Sequence, residues 1–130
     1  MSEADIHPCL LLIDDEMTLL EMLGMMLENK GYEVITASSV SGALILWNLH
    51  RERIKVVISD TWLSSTESTT ELLAAFKKAM PDIPVIVTSG YLAKADASTK
   101  WDRRSINYLP KPFDPLIMFD ALEELTRRAQ

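Results

Sequence analysis

Two apolar runs of this chain end in carboxylates. Val56-Val57-Ile58-Ser59 is followed at once by Asp60, and Cys9-Leu10-Leu11-Leu12-Ile13 by Asp14-Asp15. Runs of this length and composition read as buried strands. If the two lie side by side and parallel, three acids meet at one sheet edge. Two carboxylates about 4 Å apart repel by roughly 4 kcal/mol at an effective dielectric near 20. A hard divalent cation relieves that repulsion, and Mg2+ suits a site of few carboxylates completed by water. Two further groups fall at the ends of later strands: the Ser89 hydroxyl, and Lys111 within Tyr108-Leu109-Pro110-Lys111-Pro112. An aspartate beside a metal, a hydroxyl and a lysine has the makings of an aspartyl-phosphate site, where a carboxylate accepts a phosphoryl group.

Such a site needs strands that deliver its residues to one edge, and the chain has the pattern for it. Strands are predicted at Cys9–Ile13, Glu33–Ala37, Lys55–Ser59, Val85–Ser89 and Asn107–Leu109. Between them run helical patterns. Leu19, Leu20, Leu23, Met26 and Leu27 precede the stop at Gly31, and Val40–Leu49 carries Ala43, Leu44 and Trp47. Leu72, Leu73, Phe76 and Met80 precede Pro81, a polar helix is expected over Ala93–Arg104, and Leu116, Phe119, Leu122 and Leu125 mark the last helix. Asp114-Pro115 reads as an N-cap with proline in the first helical position. Strands alternating with helices predict a parallel sheet covered on both faces, joined by right-handed crossovers. Ligands of open parallel sheets bind beyond the carboxyl ends of the strands, where the acids and Lys111 fall. Ser64–Thr70, rich in Ser and Thr, reads as the most linker-like stretch.

Composition narrows the function classes. The 130 residues suit one domain, and 48% hydrophobic with 25% charged residues suits a soluble globule. The net charge of −6 disfavours direct binding to nucleic acid or to an anionic membrane surface. Cys9 is the only cysteine, so no internal disulfide forms, and a reducing compartment is expected. Cys9 itself reads as core filler. No signal peptide or membrane insertion is expected, since the apolar runs are short and Cys9–Ile13 leads straight into acids. His7 and His50 lack metal-ligand company and read as surface residues.

Taken in order, Leu12-Ile13-Asp14-Asp15-Glu16, Asp60, Val85-Ile86-Val87-Thr88-Ser89-Gly90-Tyr91 and Tyr108-Leu109-Pro110-Lys111-Pro112-Phe113 resemble the motifs of the response-regulator receiver domain. Each piece alone is weakly specific; their order and spacing together are highly specific. The resemblance implies a single receiver domain over residues 1–130, with a core of about 8–128. It implies a flavodoxin-like α/β fold with a five-stranded parallel sheet in the order 2-1-3-4-5. It implies that Asp60 is phosphorylated by a histidine kinase or histidine phosphotransfer protein. Asp15 and Asp60 would bind Mg2+ directly, with the backbone carbonyl of Trp62, while Asp14 would act mainly through a metal-bound water. Lys111 would pair with a phosphoryl oxygen. Ser89, rather than Thr88, would be the switch hydroxyl, because its separations of 22 residues from Lys111 and 19 from Tyr108 match the family. Gly90 would leave room for the phosphoryl group, Tyr108 would rotate inward, and Lys111-Pro112 would be a cis peptide.

The same resemblance implies a cytoplasmic phosphoprotein that processes its own aspartyl phosphate and turns over no external substrate. Homodimerisation through the helix over 93–104, the strand over 107–109 and the last helix is a possibility of the family. Ile58-Ser59-Asp60, Thr88-Ser89-Gly90-Tyr91 and Lys111-Pro112-Phe113 are similar to receivers attached to hybrid sensor kinases. Thr18, Met22 and Met25, at i, i+4 and i+7, lie off the core stripe of the first helix, on the face that docks kinases in the family.

Plainer readings stand beside these. Asp14-Asp15-Glu16 can cap the first helix, Ser89-Gly90 can be an ordinary turn, and Tyr108 can be a fixed core aromatic. As a whole, the chain can instead be a phosphorylation-independent interaction module on the same fold. A phosphohydrolase with an aspartyl nucleophile is disfavoured, since Trp62 stands where its second acid belongs. Two stretches depart from the family. Thr61-Trp62-Leu63-Ser64-Ser65-Thr66-Glu67-Ser68 lacks the usual proline and glycine and is one residue longer, and Arg104-Ser105 replaces a Gly-Ala pair. Trp62 and Tyr91 sit two residues beyond Asp60 and Ser89, where bulky side chains would shield a phosphoryl group from water and slow self-dephosphorylation.

Overall fold

The computed structural model describes residues 8–60, 62–63, 67–89, 106–110 and 114–128. In chain order these form β1 (Cys9–Ile13), α1 (Met17–Asn29), β2 (Glu33–Ala37), α2 (Val40–His50) and β3 (Ile54–Asp60). There follow β4 (Trp62–Leu63), β5 (Glu67–Ser68), α3 (Thr70–Ala79), β6 (Val85–Ser89), β7 (Ile106–Pro110) and α4 (Pro115–Arg128). The expected helix over 93–104, together with Gly90, Tyr91 and Lys111-Pro112-Phe113, lies outside the described residues.

The main sheet pairs in the order β2-β1-β3-β6-β7, and every pairing in it is parallel. β1 lies inside the sheet, between β2 and β3, and all five of its residues are buried. Its unbroken apolar run is what a strand covered on both faces requires. Alternation along the strands divides the core in two. Cys9, Leu11, Ile13, Val57, Val85 and Val87 pack under α2 and α3 with Trp47, Leu73 and Phe76. Leu10, Leu12, Val56, Ile58 and Ile86 pack under α1 and α4 with Leu20, Leu23, Leu27, Met118 and Leu122.

Local chemistry sets the helix ends. The Ser39 hydroxyl accepts the Gly42 N–H at 3.0 Å and caps α2. The Asp114 carboxylate accepts the Leu116 N–H at 2.9 Å, so the Asp114-Pro115 start of α4 is observed as read. Gly31, at φ 100°, turns the chain out of α1 in a conformation that favours glycine, while Tyr32 N–H reaches back to the Leu27 carbonyl. Lys77 Nζ donates to the Ile83 carbonyl at 2.7 Å and closes the turn between α3 and β6. Among the described residues, no helix is long and apolar enough to cross a membrane.

Within the segment expected to be linker-like, Glu67 and Ser68 form a strand and Thr70 opens α3. Trp62 and Leu63 pair antiparallel with Ser68 and Glu67, and Leu63 is fully buried. A two-residue hairpin arm leaves too short a periodicity to be read in the sequence. Cys9 is buried, and desolvation above all, with Glu33 adding to it, pushes its thiol pKa up. This agrees with its reading as core filler. Glu33 also pairs with Arg53 at the surface.

The two aromatic rings of the first core half, Trp47 and Phe76, stack at a centroid distance of 4.1 Å and an interplanar angle of 18°. Phe76 is fully buried, so Phe76→Ala removes both the stack and a large core volume. Its unfolding free energy in urea is expected to fall by about 3–5 kcal/mol. A loss below about 1 kcal/mol would contradict this packing.

Candidate functional site

β1 and β3 are neighbours, with Ile13 opposite Ser59. The next residues, Asp14 and Asp60, therefore emerge side by side at the carboxyl edge. Together with Asp15 they form a group in which one carboxylate oxygen from each residue lies within 4.8 Å of the others. The structure thus brings together the three acids singled out in the sequence.

Each acid is held differently. Asp14 is buried at 3% exposure. Its backbone N–H donates to the Ala37 carbonyl at 3.1 Å, and its carboxylate accepts the Glu16 N–H at 2.9 Å. This bond lies just before α1 and caps none of its first-turn N–H groups, so the capping reading is not what the structure shows, and one Asp14 oxygen belongs to the acidic group. Glu16, at the N-cap position, makes no side-chain cap bond. Asp15 and Asp60 reach solvent. Asp60 ends β3 opposite Thr88 of β6.

The remaining predicted residues can be placed by register. Thr88 is buried. Ser89, one residue on, ends β6 opposite Pro110, the last residue of β7. Tyr108 stands opposite Val87. Trp62 opens β4, two residues beyond Asp60. The ends of β1, β3, β6 and β7 thus share one edge of the sheet, and Lys111 follows directly after the last of them.

Two hydroxyls escaped the sequence reading. Ser59 Oγ donates to the Asp60 carbonyl at 2.8 Å, and Thr69 Oγ1 donates to the same oxygen at 2.6 Å. Both residues are fully buried. A small polar residue inside an apolar run was a faint signal for Ser59. Nothing in the sequence pointed to Thr69, nine residues away.

The donor set is all oxygen. Among the described residues no histidine or cysteine joins the acids, and Cys9 opens the strand that Asp14 follows. Clustered carboxylates partly open to water fit a hard divalent cation such as Mg2+, and lack the nitrogen and sulfur ligands that select zinc.

The fold and this edge have counterparts in known proteins. The transcriptional regulatory protein GlrR of Escherichia coli (strain K12) is 35% identical over 124 residues, which cover 95% of this chain and 27% of that protein. The chain spans about a quarter of the length of the curated relatives it matches. A response regulator receiver domain protein from Clostridium thermocellum is 31% identical, with a TM-score of 0.81 over 93% of this chain and 95% of that one. The receiver domain of NtrX from Brucella abortus is 27% identical, with a TM-score of 0.75 over 89% and 96% of the respective chains. Receivers of two-component response regulators share phosphoryl transfer at an aspartate as their general function. The family model for the response regulator receiver domain spans residues 10–123, and by that match the chain belongs to this family.

Proposed function

We propose that this chain accepts a phosphoryl group on Asp60 from a phosphohistidine of a kinase or phosphotransfer protein. The observation that carries the reading is the convergence of the Asp14, Asp15 and Asp60 carboxylates within 4.8 Å at the carboxyl edge of a parallel sheet. Asp60 reaches solvent, so a donor can approach it. One of its carboxylate oxygens attacks phosphorus in line; the new O–P bond forms as the N–P bond breaks, and the donor imidazole keeps the electron pair. Asp15, Asp60 and the Trp62 carbonyl would hold Mg2+ directly, with Asp14 behind a water. Bound there, the ion neutralises the carboxylates and the phosphoryl oxygens. Lys111 pairs with a phosphoryl oxygen as a point charge.

The signal leaves through Ser89 and Tyr108. A hydroxyl drawn toward the phosphoryl group vacates space for the aromatic and shifts a two-state equilibrium over the surface around β7 and α4. The neighbouring strand ends support this, with Val87 opposite Tyr108 and Ser89 opposite Pro110. The output is a protein–protein contact, with a second copy of the chain as one candidate partner. The net charge of −6 speaks against direct contact with nucleic acid. We read the domain as a single cytoplasmic receiver whose complete sheet has five strands in the order 2-1-3-4-5, which the observed pairings support.

The chain is expected to gain one phosphate in intact mass after incubation with acetyl phosphate and Mg2+. Asp60→Ala should abolish the gain. No adduct, or one that survives Asp60→Ala, would reject the assignment and leave the phosphorylation-independent interaction module.

Met22 and Met25 on α1 are 49% and 64% exposed, and Thr18 beside them is also exposed. We read this face as the kinase dock. Charged substitutions at both methionines should slow phosphotransfer from the kinase by about tenfold or more while leaving acetyl phosphate kinetics unchanged. Equal slowing with both donors would sink the docking role.

Trp62 and Tyr91 would flank the path of the hydrolytic water. Replacing both with small or amide side chains should shorten the phosphorylated lifetime several-fold, followed by mass decay after removal of the donor. An unchanged or longer lifetime would count against shielding.

A further inference from the structure

We propose that Thr69 is a positioning residue for the phosphoacceptor. Its hydroxyl holds the Asp60 carbonyl and so sets the direction in which the chain leaves β3 past the acids. The inference rests on the phosphoacceptor reading of Asp60.

The hydrogen bonding around Thr69 is unusual for its position. Thr69 stands at the N-cap of α3, yet its side chain makes no cap bond. The hydroxyl is committed instead to the Asp60 carbonyl at 2.6 Å. Capping passes to Ser68, whose hydroxyl accepts the Thr70 N–H at 3.1 Å and donates to Thr70 Oγ1 at 2.9 Å. With the Ser59 hydroxyl at 2.8 Å, the Asp60 carbonyl has two donors for its two lone pairs.

That carbonyl is a sensitive place to hold. It lies in the rigid peptide plane that leads out of Asp60. Fixing its direction fixes ψ of Asp60 and the heading of the segment that carries the Trp62 carbonyl. In the family, proline and glycine help to set this loop, and both are missing between Asp60 and Thr70. Thr69 is fully buried, so water cannot stand in for its hydroxyl. The bond closes the excursion through the β4–β5 hairpin onto the residue where it began.

The test uses the whole chain with acetyl phosphate and Mg2+, and reads Mg2+ affinity separately by calorimetry. Thr69→Val keeps the shape and removes the hydroxyl. It should weaken Mg2+ binding and slow phosphorylation, each by roughly three- to tenfold, the worth of one buried hydrogen bond. Thr69→Ser restores the donor and should stay within about twofold of wild type on the same scale. Thr126→Val is the control, because the Thr126 hydroxyl is also buried but donates to the Leu122 carbonyl within α4, at 2.8 Å. It should leave Mg2+ affinity unchanged. Wild-type behaviour of Thr69→Val, or equal impairment by Thr69→Ser, overturns the proposal. If Thr69→Val does not fold, Thr69→Ala removes the same donor, and wild-type Mg2+ affinity in that variant overturns the proposal equally. A chain that never takes phosphate, but whose Mg2+ binding weakens in Thr69→Val, keeps the positioning role and refutes the phosphoacceptor reading instead.

Discussion

The pairing of β1 with β3, which sets Ile13 opposite Ser59, governs everything at the carboxyl edge of this molecule. One residue further along each strand stands an aspartate, and the acids have no way to avoid each other while that register holds. The register is strongly held. Both strands are covered on both faces, so a slip of one residue would exchange the side chains packed under α2 and α3 with those packed under α1 and α4. Core packing thus enforces an electrostatic arrangement that the carboxylates alone would not adopt.

The edge is built so that this repulsion is not relieved by movement. Asp14 is tied down by the Ala37 carbonyl behind it and the Glu16 N–H ahead of it. The backbone carbonyl of Asp60 is tied by the Ser59 and Thr69 hydroxyls. A carboxylate whose backbone is held in place is preorganised for a ligand, because less conformational freedom remains to be lost when one arrives. A cation entering the group recovers the repulsion that folding imposed on it.

Much of the fold was legible because its strands are either buried throughout or cleanly bounded. β1, β2 and β6 run from Cys9, Glu33 and Val85 as the apolar runs suggested, and α4 starts where Asp114-Pro115 indicated. The acidic group was legible for the same reason, since a carboxylate directly after a buried run has few places to go. The β4–β5 hairpin and the Thr69 bond were not. Each rests on contacts between residues a few positions apart that carry no periodic or turn signature. Short polar segments such as Ser64–Thr70 satisfy the same composition whether they are linkers or are folded against a strand end.

A loop held by hydroxyls behaves differently from one held by proline. Proline narrows the backbone in the folded and unfolded chain alike and cannot let go. A hydroxyl–carbonyl bond acts only once the fold has delivered both partners, contributes about 1 kcal/mol, and can open and close in the native state. Here the donor is delivered by α3, since Thr69 immediately precedes that helix and Leu72, Leu73 and Phe76 anchor it in the core. The backbone direction at Asp60 is therefore coupled to how α3 packs. A displacement of α3 by even part of an ångström lengthens the bond and loosens the exit from β3, and strain at Asp60 is felt at the start of α3 in return. In this chain the setting of the aspartate is a property of tertiary packing, which is why the short-range pattern of residues 61–68 gave so little sign of it.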